Sequence, residues 1–342
     1  MITIKDVARD AGVSVGTVSN VLNGGRVSEA RRKLVEASIE KLGYQVNTLA
    51  KGMRMQKTDY VVVILPNLIN PYFALLLDAL ESELSACGKQ VLLCLSGDDA
   101  EREVAFMDMA KQNKVDGIIG VTYSKVEEER IENMAFVSID RHYKSHIPCV
   151  AGDNWQGGWL AAENLHKRGA TNLLCFMTMS SVDSEVRKRR VGFTEYCMEH
   201  DISCNSVEMS EKQIVSVYES YGSRKLINNM LRAYISPSMG EHSIDGIFTS
   251  SDHLAMIVQE ELEEMGKRVP EDIQIIGYDG LQFLNQGKPI VSSIAQPVHE
   301  IAKQAVKSLT EMIENGKAED VTNIPVTFHE GPTTKPLETI SE

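Results

Sequence analysis

The stretch that decides the fold of the N-terminal part spans residues 3–24 and reads TIKDVARDAGVSVGTVSNVLNG. Thr3 can cap a first short helix, and Asp6, three positions on, can accept a hydrogen bond from the backbone N–H of the cap. Gly12 suits the left-handed conformation that follows a helix end, and Ser14 can cap a second short helix. The stretch therefore predicts two helices joined by a tight turn, which is a helix-turn-helix.

The second of these helices carries small and polar side chains. Val18 and Val21 lie on its inward stripe, whereas Val15, Gly16 and Asn20 face outward. In a helix-turn-helix, the second helix enters the DNA major groove with its N-terminal end first. Because Gly16 has no side chain, base contacts are expected mainly from Val15, which suits a thymine methyl group, and Asn20, which suits adenine. The alternative interpretation is an ordinary helical hairpin.

A third helix is predicted from Glu29 to Leu42, with Ser28 as its cap and Gly43 at its end. Its apolar residues recur at helical spacing: Leu34, Val35, Ile39 and Leu42. Three helices around one small core make an all-α head.

Charge is unevenly distributed along the chain, whose formal net charge is -13. The first 58 residues hold ten Lys or Arg and five Asp or Glu, a net charge of +5, so the remainder carries −18. A basic head on an acidic body suits binding to DNA phosphates through the head alone. Arg26, Arg31 and Arg32 are the expected phosphate contacts, and the alternative for each is a solvated charged surface.

Short apolar strands alternate with amphipathic helices from Val61 onward. The predicted strands are 61–65, 91–95, 117–121, 136–139, 173–177, 246–248 and 273–277. Helices are predicted at 72–87, 101–111, 157–167, 185–200 and 253–265. Such alternation predicts parallel sheets with helices on both faces. Two sheets fit better than one, with a break near Asp153 and a return crossing near Gln296, so the core is expected to be bilobed.

Ten motifs together resemble the LacI/GalR family of bacterial transcription regulators. Those of the head are Thr3-Ile4-Lys5-Asp6-Val7-Ala8, Gly12-Val13-Ser14 and Thr17-Val18-Ser19-x-Val21-Leu22-Asn23-Gly24. Those of the core are Pro66-Asn67-x-x-Asn70-Pro71-Tyr72-Phe73, Ile139-Asp140-Arg141, Asp153-Asn154-x-x-Gly157-Gly158, Arg189-x-x-Gly192-Phe193, Val269-Pro270-x-Asp272-Ile273, Gly277-Tyr278-Asp279 and Gln296. The resemblance runs from about residue 2 to residue 328.

This resemblance implies an N-terminal all-α helix-turn-helix head followed by a periplasmic-binding-protein-like α/β core of two doubly wound parallel sheets. The expected boundaries are 1–45 for the DNA-binding domain, 46–58 for a hinge helix or linker, 59–328 for the bilobed core and 331–342 for a tail. Within the core, the N-lobe is expected to comprise 59–152 and 298–324, and the C-lobe 153–297 and 325–330.

The hinge is implied by the resemblance to be a helix that pairs across a dimer and inserts an apolar wedge into the DNA minor groove. Asn47 and Ala50 match the family pattern, and Met53 falls at the wedge position, where the family usually has Leu. Val46 replaces the usual Pro, and Gly52 weakens a helix by about 1 kcal/mol relative to Ala. A plain linker is the alternative. The residues expected to contact DNA are Thr3, Ser14, Val15, Gly16, Thr17, Ser19, Asn20, Asn23, Arg26, Arg31, Asn47, Ala50 and Met53.

A small-molecule effector is expected between the two lobes, beyond the carboxyl ends of the strands. The residues that the resemblance places there are Asn70, Tyr72, Phe73, Asp140, Arg189, Ser251, Asp252, Asp279 and Gln296. The Arg189 fork suits vicinal hydroxyls or a carboxylate, and Asp140 and Asp279 can accept hydroxyl hydrogens. Their alternatives are a solvated helix face for Arg189 and helix capping for the aspartates, and Asp252 is expected to cap rather than bind. A neutral sugar is the expected effector, with a purine or a phosphorylated sugar left open.

Several function classes lack their sequence signals. The chain has no nucleotide-binding, metalloprotease or serine-hydrolase motif, and its eight histidines show no ligand spacing, so neither catalysis nor a metal or cofactor is expected. A polar N-terminus and the lack of a long apolar run indicate a cytoplasmic protein without a membrane partner. We therefore expect a homodimeric repressor that binds a pseudo-palindromic double-stranded operator. The main alternative is a sugar-binding receptor without DNA function, and an α/β enzyme is a more remote one.

Overall fold

A computed structural model of the 342-residue chain divides into two compact units, Met1–Thr58 and Asp59–Glu342. The structure describes residues 2–22, 24–44, 58–97, 99–122, 131, 134–143, 147–179, 182–219, 224–235, 243–282 and 287–337. Four residues expected to contact DNA lie outside these ranges: Asn23, Asn47, Ala50 and Met53.

The first unit contains the three expected helices: α1 (Ile4–Asp10), α2 (Val15–Leu22) and α3 (Glu29–Leu42). The Asp6 carboxylate accepts hydrogen bonds from the Thr3 backbone N–H at 2.9 Å and from its hydroxyl at 2.6 Å. Ser14 Oγ caps α2 by accepting from the Thr17 N–H at 3.2 Å. The small core consists of Val7, Ala8, Val18, Val21 and Val35.

The prediction that Leu34 belongs to the apolar stripe of α3 is wrong, because its side chain is 54% exposed. The neighbouring Val35 is fully buried. Because consecutive side chains of a helix point about 100° apart, Leu34 then points away from the core. A different contact joins α3 to α1: Ser38 Oγ donates to Asp10 Oδ2 at 2.9 Å, and Lys41 Nζ donates to Asp10 Oδ1 at 2.7 Å.

The second unit alternates strands and helices. Its strands are β1 (Tyr60–Leu65), β2 (Gln90–Leu95), β3 (Gly117–Gly120), β4 (Phe136–Ile139), β5 (Cys149–Gly152), β6 (Asn172–Met179), β7 (Ser203–Ser210), β8 (Gly246–Thr249), β9 (Gln274–Asp279), β10 (Ser292–Ala295), β11 (Val321–Ile324) and β12 (Thr327–His329). Its helices are α4 (Pro71–Ala86), α5 (Ala100–Gln112), α6 (Asn154–Lys167), α7 (Arg187–Glu199), α8 (Glu211–Glu219), α9 (Lys225–Ile235), α10 (Asp252–Glu264) and α11 (Val298–Asn315).

These strands form two six-stranded sheets, as the predicted fold class requires. One has the order β11-β5-β4-β3-β1-β2 with parallel pairings, and we call its half of the unit the N-lobe. The other has the order β12-β10-β9-β8-β6-β7, and we call its half the C-lobe. Among the strands that the structure describes, β12 alone departs from the parallel pattern, because it pairs antiparallel with β10. The predicted two-sheet α/β architecture is therefore confirmed.

The chain passes between the two sheets three times, after β5, after β10 and after β11. The first and third crossings touch, because the Asp153 N–H donates to the Ile324 carbonyl at 2.7 Å and the Val326 N–H donates to Gln156 Oε1 at 3.0 Å. After the second crossing, α11 packs into the same apolar core as α4 in the N-lobe. The first and third connections therefore lie side by side, and together with the second they form a joint between the lobes.

Residues 331–335, which the sequence analysis assigned to the tail, pack onto the C-lobe. The Thr333 side chain is fully buried, its hydroxyl donates to the Ile275 carbonyl at 2.7 Å, and Thr334 lies 2.7 Å from the Ser292 hydroxyl. Among the described residues, no helix has the length and apolar character that crossing a membrane requires.

Candidate functional site

One cavity of the second unit lies where the carboxyl ends of strands from both lobes meet. Eight of the nine residues expected at the effector site line it: Asn70, Tyr72, Phe73, Asp140, Arg189, Ser251, Asp279 and Gln296. Asn70, Tyr72, Phe73 and Asp140 belong to the N-lobe, and Arg189, Ser251 and Asp279 to the C-lobe. Gln296 follows β10 at the second crossing. Ligands of open α/β sheets bind at such strand ends.

Arg189 is held rigidly in the wall of this cavity. Its Nε donates to Asn154 Oδ1 at 2.7 Å, its Nη1 donates to the Ser250 carbonyl at 2.8 Å, and its guanidinium carbon lies 3.5 Å from the centre of the Tyr278 ring. Only 5% of the residue is exposed. The interpretation of Arg189 as part of a solvated helix face is therefore wrong, because its side chain points inward.

Two glycines allow α6 and α7 to pack closely enough to place Arg189. A Cβ added to Gly158 would lie 1.8 Å from the Arg189 carbonyl oxygen, and one added to Gly192 would lie 2.0 Å from the Trp155 carbonyl oxygen. A Cβ on Gly157 would lie 2.7 Å from the Tyr278 ring. These motif glycines therefore act by letting backbone approach backbone and ring.

Asp140 and Asp279 are the two carboxylates of the cavity, and both are almost fully buried. Burial raises the pKa of Asp279 to about 7, although the Arg189 charge and the Gln296 hydrogen bond lower it in part. Burial also raises the pKa of Asp140, against the opposing effect of Arg189. Gln296 Nε2 donates to Asp279 Oδ1 at 2.8 Å, whereas Asp279 Oδ2 and Gln296 Oε1 are buried without a hydrogen-bond partner among the described residues. These two oxygens are acceptors that a ligand hydroxyl could satisfy.

Asp252 does not line the cavity and does not cap α10. Its Oδ1 accepts from the Ser293 hydroxyl at 2.5 Å, and its Oδ2 accepts from the Leu281 N–H at 2.7 Å, so it connects α10 to the strands behind the cavity. Burial, and secondarily the Asp279 charge, raises its pKa well above the usual value. The cap is Ser251, whose hydroxyl accepts from the Leu254 N–H at 3.1 Å.

Asn70 and the two aromatic residues after it have structural as well as lining roles. Asn70 Oδ1 accepts from the Tyr72 N–H at 3.1 Å and thereby caps α4. Tyr72 and Phe73 are buried in the N-lobe core with their rings edge to face at 5.6 Å. This pair therefore packs in the core and also lines the cavity.

Part of the cavity wall was not predicted as effector-binding from the sequence: Thr178, Ser184, Val186, Arg187, Ile214, Tyr218 and Ser250. Ile214 and Tyr218 lie on α8, a helix that was not predicted. The Tyr218 hydroxyl lies 3.3 Å from Ser251 Oγ, and its ring stacks on the His253 ring at 3.9 Å. The apolar spacing of Ile214, Val217 and Tyr218 is the signal that could have identified this helix.

On the head, the outward face of α2 has the character expected from its sequence. Val15 is 37% exposed, and Gly16 and Asn20 are also exposed. Thr3, Ser14, Arg26 and Arg31 are exposed too, whereas Thr17 and Ser19 are half-buried. Arg32 differs from its neighbours, because its Nη2 donates to the Gly25 carbonyl at 3.3 Å and so serves the head's own fold.

Comparison with known proteins supplies the family of both units. Residues 3–47 match the family model described as bacterial regulatory proteins, lacI family, and residues 162–334 match the periplasmic binding protein-like domain. The chain is 32% identical over 332 residues to the sucrose operon repressor of Pediococcus pentosaceus, covering 96% of this chain and 98% of that protein. It is 32% identical over 316 residues to the ribose operon repressor of Halalkalibacterium halodurans, covering 92% and 91%.

The fold is also similar to that of a solved structure. The crystal structure of the lac repressor dimer bound to operator and the anti-inducer ONPF has a TM-score of 0.78 and 21% identity, over 97% of this chain and 99% of that one. With more than nine-tenths of the chain aligned to curated repressors at over 30% identity, this protein belongs to the LacI family of bacterial regulatory proteins.

Proposed function

We propose that this protein is a transcription repressor that binds a pseudo-palindromic operator as a homodimer and is controlled by a neutral sugar bound between its lobes. The observation that carries the proposal is the combination, in one chain, of a helix-turn-helix with an open outward face and a polar interlobe cavity. The names of the two relatives, repressors of a sucrose operon and of a ribose operon, support a sugar over other effectors.

The operator-reading part of the proposal rests on α2. Val15 and Asn20 point away from the head core, and a Cβ at Gly16 would meet nothing closer than Ser14 Oγ at 3.7 Å, so this face is open to a DNA groove. Thr3, Ser14, Thr17, Ser19, Arg26 and Arg31 would hold the phosphates and set the register. Four further DNA contacts are proposed on the basis of the sequence alone: Asn23, Asn47, Ala50 and Met53.

The sugar part of the proposal rests on the hydrogen-bonding capacity of the cavity. Asp279 and Gln296 present unsatisfied buried oxygens, which suit donors such as sugar hydroxyls. At the start of α7, the backbone N–H groups of 187, 188 and 189 already donate to the carbonyls of 184, 185 and 186. Because a helix N-terminus binds phosphate through open N–H groups, this arrangement favours a neutral sugar over a phosphorylated one.

The switch requires that the sugar bind one arrangement of the lobes more tightly than the other. The cavity draws its residues from both lobes, so a ligand that contacts both walls has this differential affinity. In this proposal, Asn70, Tyr72, Phe73, Asp140, Arg189, Ser251, Asp279 and Gln296 bind the sugar, and Asp252 supports the wall behind them.

Two measurements test the proposal. Purified protein is mixed with sucrose, D-ribose, D-fructose and their phosphates, and its melting temperature is recorded. A bound sugar at a hundred times its dissociation constant adds about 2.7 kcal/mol to the free energy of unfolding. Selection of operator sequences from a random DNA library, with and without that sugar, then tests repression and release. If no neutral sugar raises the melting temperature, or if no DNA sequence is enriched, the corresponding half of the proposal fails.

A further inference from the structure

Asn154 is a buried amide that no part of the proposed function uses. It is the first residue of α6, directly after the first crossing between the lobes, and only 1% of it is exposed. Its Nδ2 donates to the Gly152 carbonyl at 3.0 Å and to Asp140 Oδ1 at 3.4 Å. Its Oδ1 accepts from Arg189 Nε at 2.7 Å and lies 3.5 Å from the Tyr278 hydroxyl.

These four contacts use the full hydrogen-bonding capacity of an asparagine side chain, which has two donors and two acceptor positions. They also fix which way the amide points. Arg189 can only donate and the Gly152 carbonyl can only accept, so exchanging the amide oxygen and nitrogen would destroy both short contacts. The orientation of the amide is therefore determined by its partners.

The two ends of the amide bind charged groups of different lobes. Asp140 follows β4 in the N-lobe, whereas Arg189 lies on α7 in the C-lobe, and both line the cavity. Arg189 is also held within its own lobe, through the Ser250 carbonyl and the Tyr278 ring, and its charge acts on Asp140 as well. Asn154 thus lies on the line from one wall of the cavity to the other, at the joint between the lobes.

We propose that Asn154 is a positioning residue that fixes Arg189 for the ligand and links it to Asp140 across the first crossing. This inference rests on the proposed function, because it takes the sugar to bind at Arg189 and assigns Asn154 as the residue that connects this binding to the joint between the lobes. The amide oxygen supplies the positioning of Arg189, and the amide nitrogen supplies the link to Asp140 and Gly152.

Asn154→Ala removes both ends of the amide, whereas Asn154→Asp keeps the shape and the acceptor for Arg189 Nε but loses both donors. For the sugar found with the wild type, we expect the Ala variant to bind about tenfold or more weakly. The Asp variant should also bind weakly, because its second oxygen faces the Gly152 carbonyl and the Asp140 carboxylate, to which the amide nitrogen donates at 3.0 and 3.4 Å. Asn164→Ala is the matched control. Asn164 also lies on α6 and accepts from an arginine, Arg168 Nη1, at 2.7 Å, but Arg168, unlike Arg189, does not line the cavity.

The link between Asn154 and Arg189 is also tested without any ligand. The melting temperatures of Asn154→Ala, Arg189→Met and the double variant are compared by calorimetry, and the two losses are expected to be clearly non-additive. The two tryptophans of the chain, Trp155 and Trp159, lie on the same helix, so their fluorescence reports whether each variant keeps α6 folded.

Additive losses in this cycle, or an Ala variant that binds the sugar as tightly as the wild type, would overturn the inference. Failure of the proposed function looks different, because the wild type itself would then bind none of the sugars. In that case the ligand-free cycle still decides the inference, since it depends only on the contact between the two side chains.

Discussion

Replacing Gly158 with alanine should separate α6 from α7 and disturb the cavity at a distance. The new Cβ would lie 1.8 Å from the Arg189 carbonyl oxygen, whereas real Cβ contacts are at least 3.0 Å, so the two helices must move apart by about 1.2 Å. The hydrogen bond from Arg189 Nε to Asn154, now 2.7 Å, would lengthen by up to the same amount, to about 3.9 Å, which is beyond hydrogen-bonding distance.

Overpacking of this kind costs about 1–3 kcal/mol. For a unit of this size, 1 kcal/mol corresponds to about 2–4 °C in melting temperature, so a fall of about 2–12 °C is expected. Displacement of a binding group by about 1 Å should also weaken sugar binding by about tenfold to a hundredfold. Differential scanning calorimetry measures the first effect, and isothermal titration calorimetry with the sugar identified on the wild type measures the second.

Two further variants sharpen this test. Gly192→Ala meets the Trp155 carbonyl oxygen at 2.0 Å, and because one separation relieves both clashes, the double variant should lose less stability than the sum of the single losses. Gly16→Ala is also within a helix, but its Cβ meets only Ser14 Oγ at 3.7 Å, so it should not destabilise its helix. A Gly158→Ala protein with the melting temperature and sugar affinity of the wild type would refute the close approach of α6 and α7.

Three other outcomes are expected. Sugar affinity should fall by up to about tenfold as the pH falls from 8 to 6, because the folded pKa of Asp279 is about 7 and only its ionised form accepts fully from hydroxyls. The Asp279→Asn variant should bind the sugar weakly and without this pH dependence, and a wild-type affinity that is constant from pH 8 to 6 would contradict the assignment. Asn20→Ala should lose about 1–3 kcal/mol of operator affinity and relax the preference at one base pair, measured by binding to a set of single-base operator variants; an unchanged preference at every base pair would exclude Asn20 from base contact. Met53→Ala should reduce operator bending and specific binding in a gel-shift assay while leaving salt-dependent binding to random DNA nearly unchanged, and an equal loss on random DNA would argue against a wedge.

Much of the fold could be predicted from sequence because its buried strands are continuous apolar runs. All seven predicted strands are present within a few residues of their expected ends. The five missed strands have weaker signals: β7 (SCNSVEMS) lies at a sheet edge and is mostly polar, β5 (CVAG), β10 (SSIA) and β11 (VTNI) are short with few large apolar side chains, and β12 has only three residues. Such strands are determined by their partners in the sheet rather than by their own sequence.

The candidate site could be predicted to the level of which residues gather, but not of what each one does. The family motifs correctly predicted eight residues of one cavity. The sequence did not reveal that Ser251 caps α10 or that Asp252, the first residue of that helix, accepts a hydrogen bond from Ser293 on β10. That distinction depends on backbone geometry at the helix start, because a sequence pattern cannot tell which of two adjacent polar residues is the cap. Tyr218 was missed because its helix was missed, and the role of Asn154 follows only from distances.

The repeated crossing of the chain has a consequence for how this protein is made. The N-lobe core needs Ile301, Ala302 and Ala305 of α11, and its edge strand β11 comes later still, although the rest of that lobe is complete by Gly152. At about 5–20 residues per second, roughly 10–30 s of synthesis separate the end of β5 from the end of α11. Throughout that interval the nascent N-lobe exposes the apolar surface that α11 later covers. The C-lobe strands β6 to β10 are contiguous in sequence and emerge within that interval, so we expect the ribosome-bound chain to assemble its second lobe before its first is closed, with chaperones protecting the exposed face.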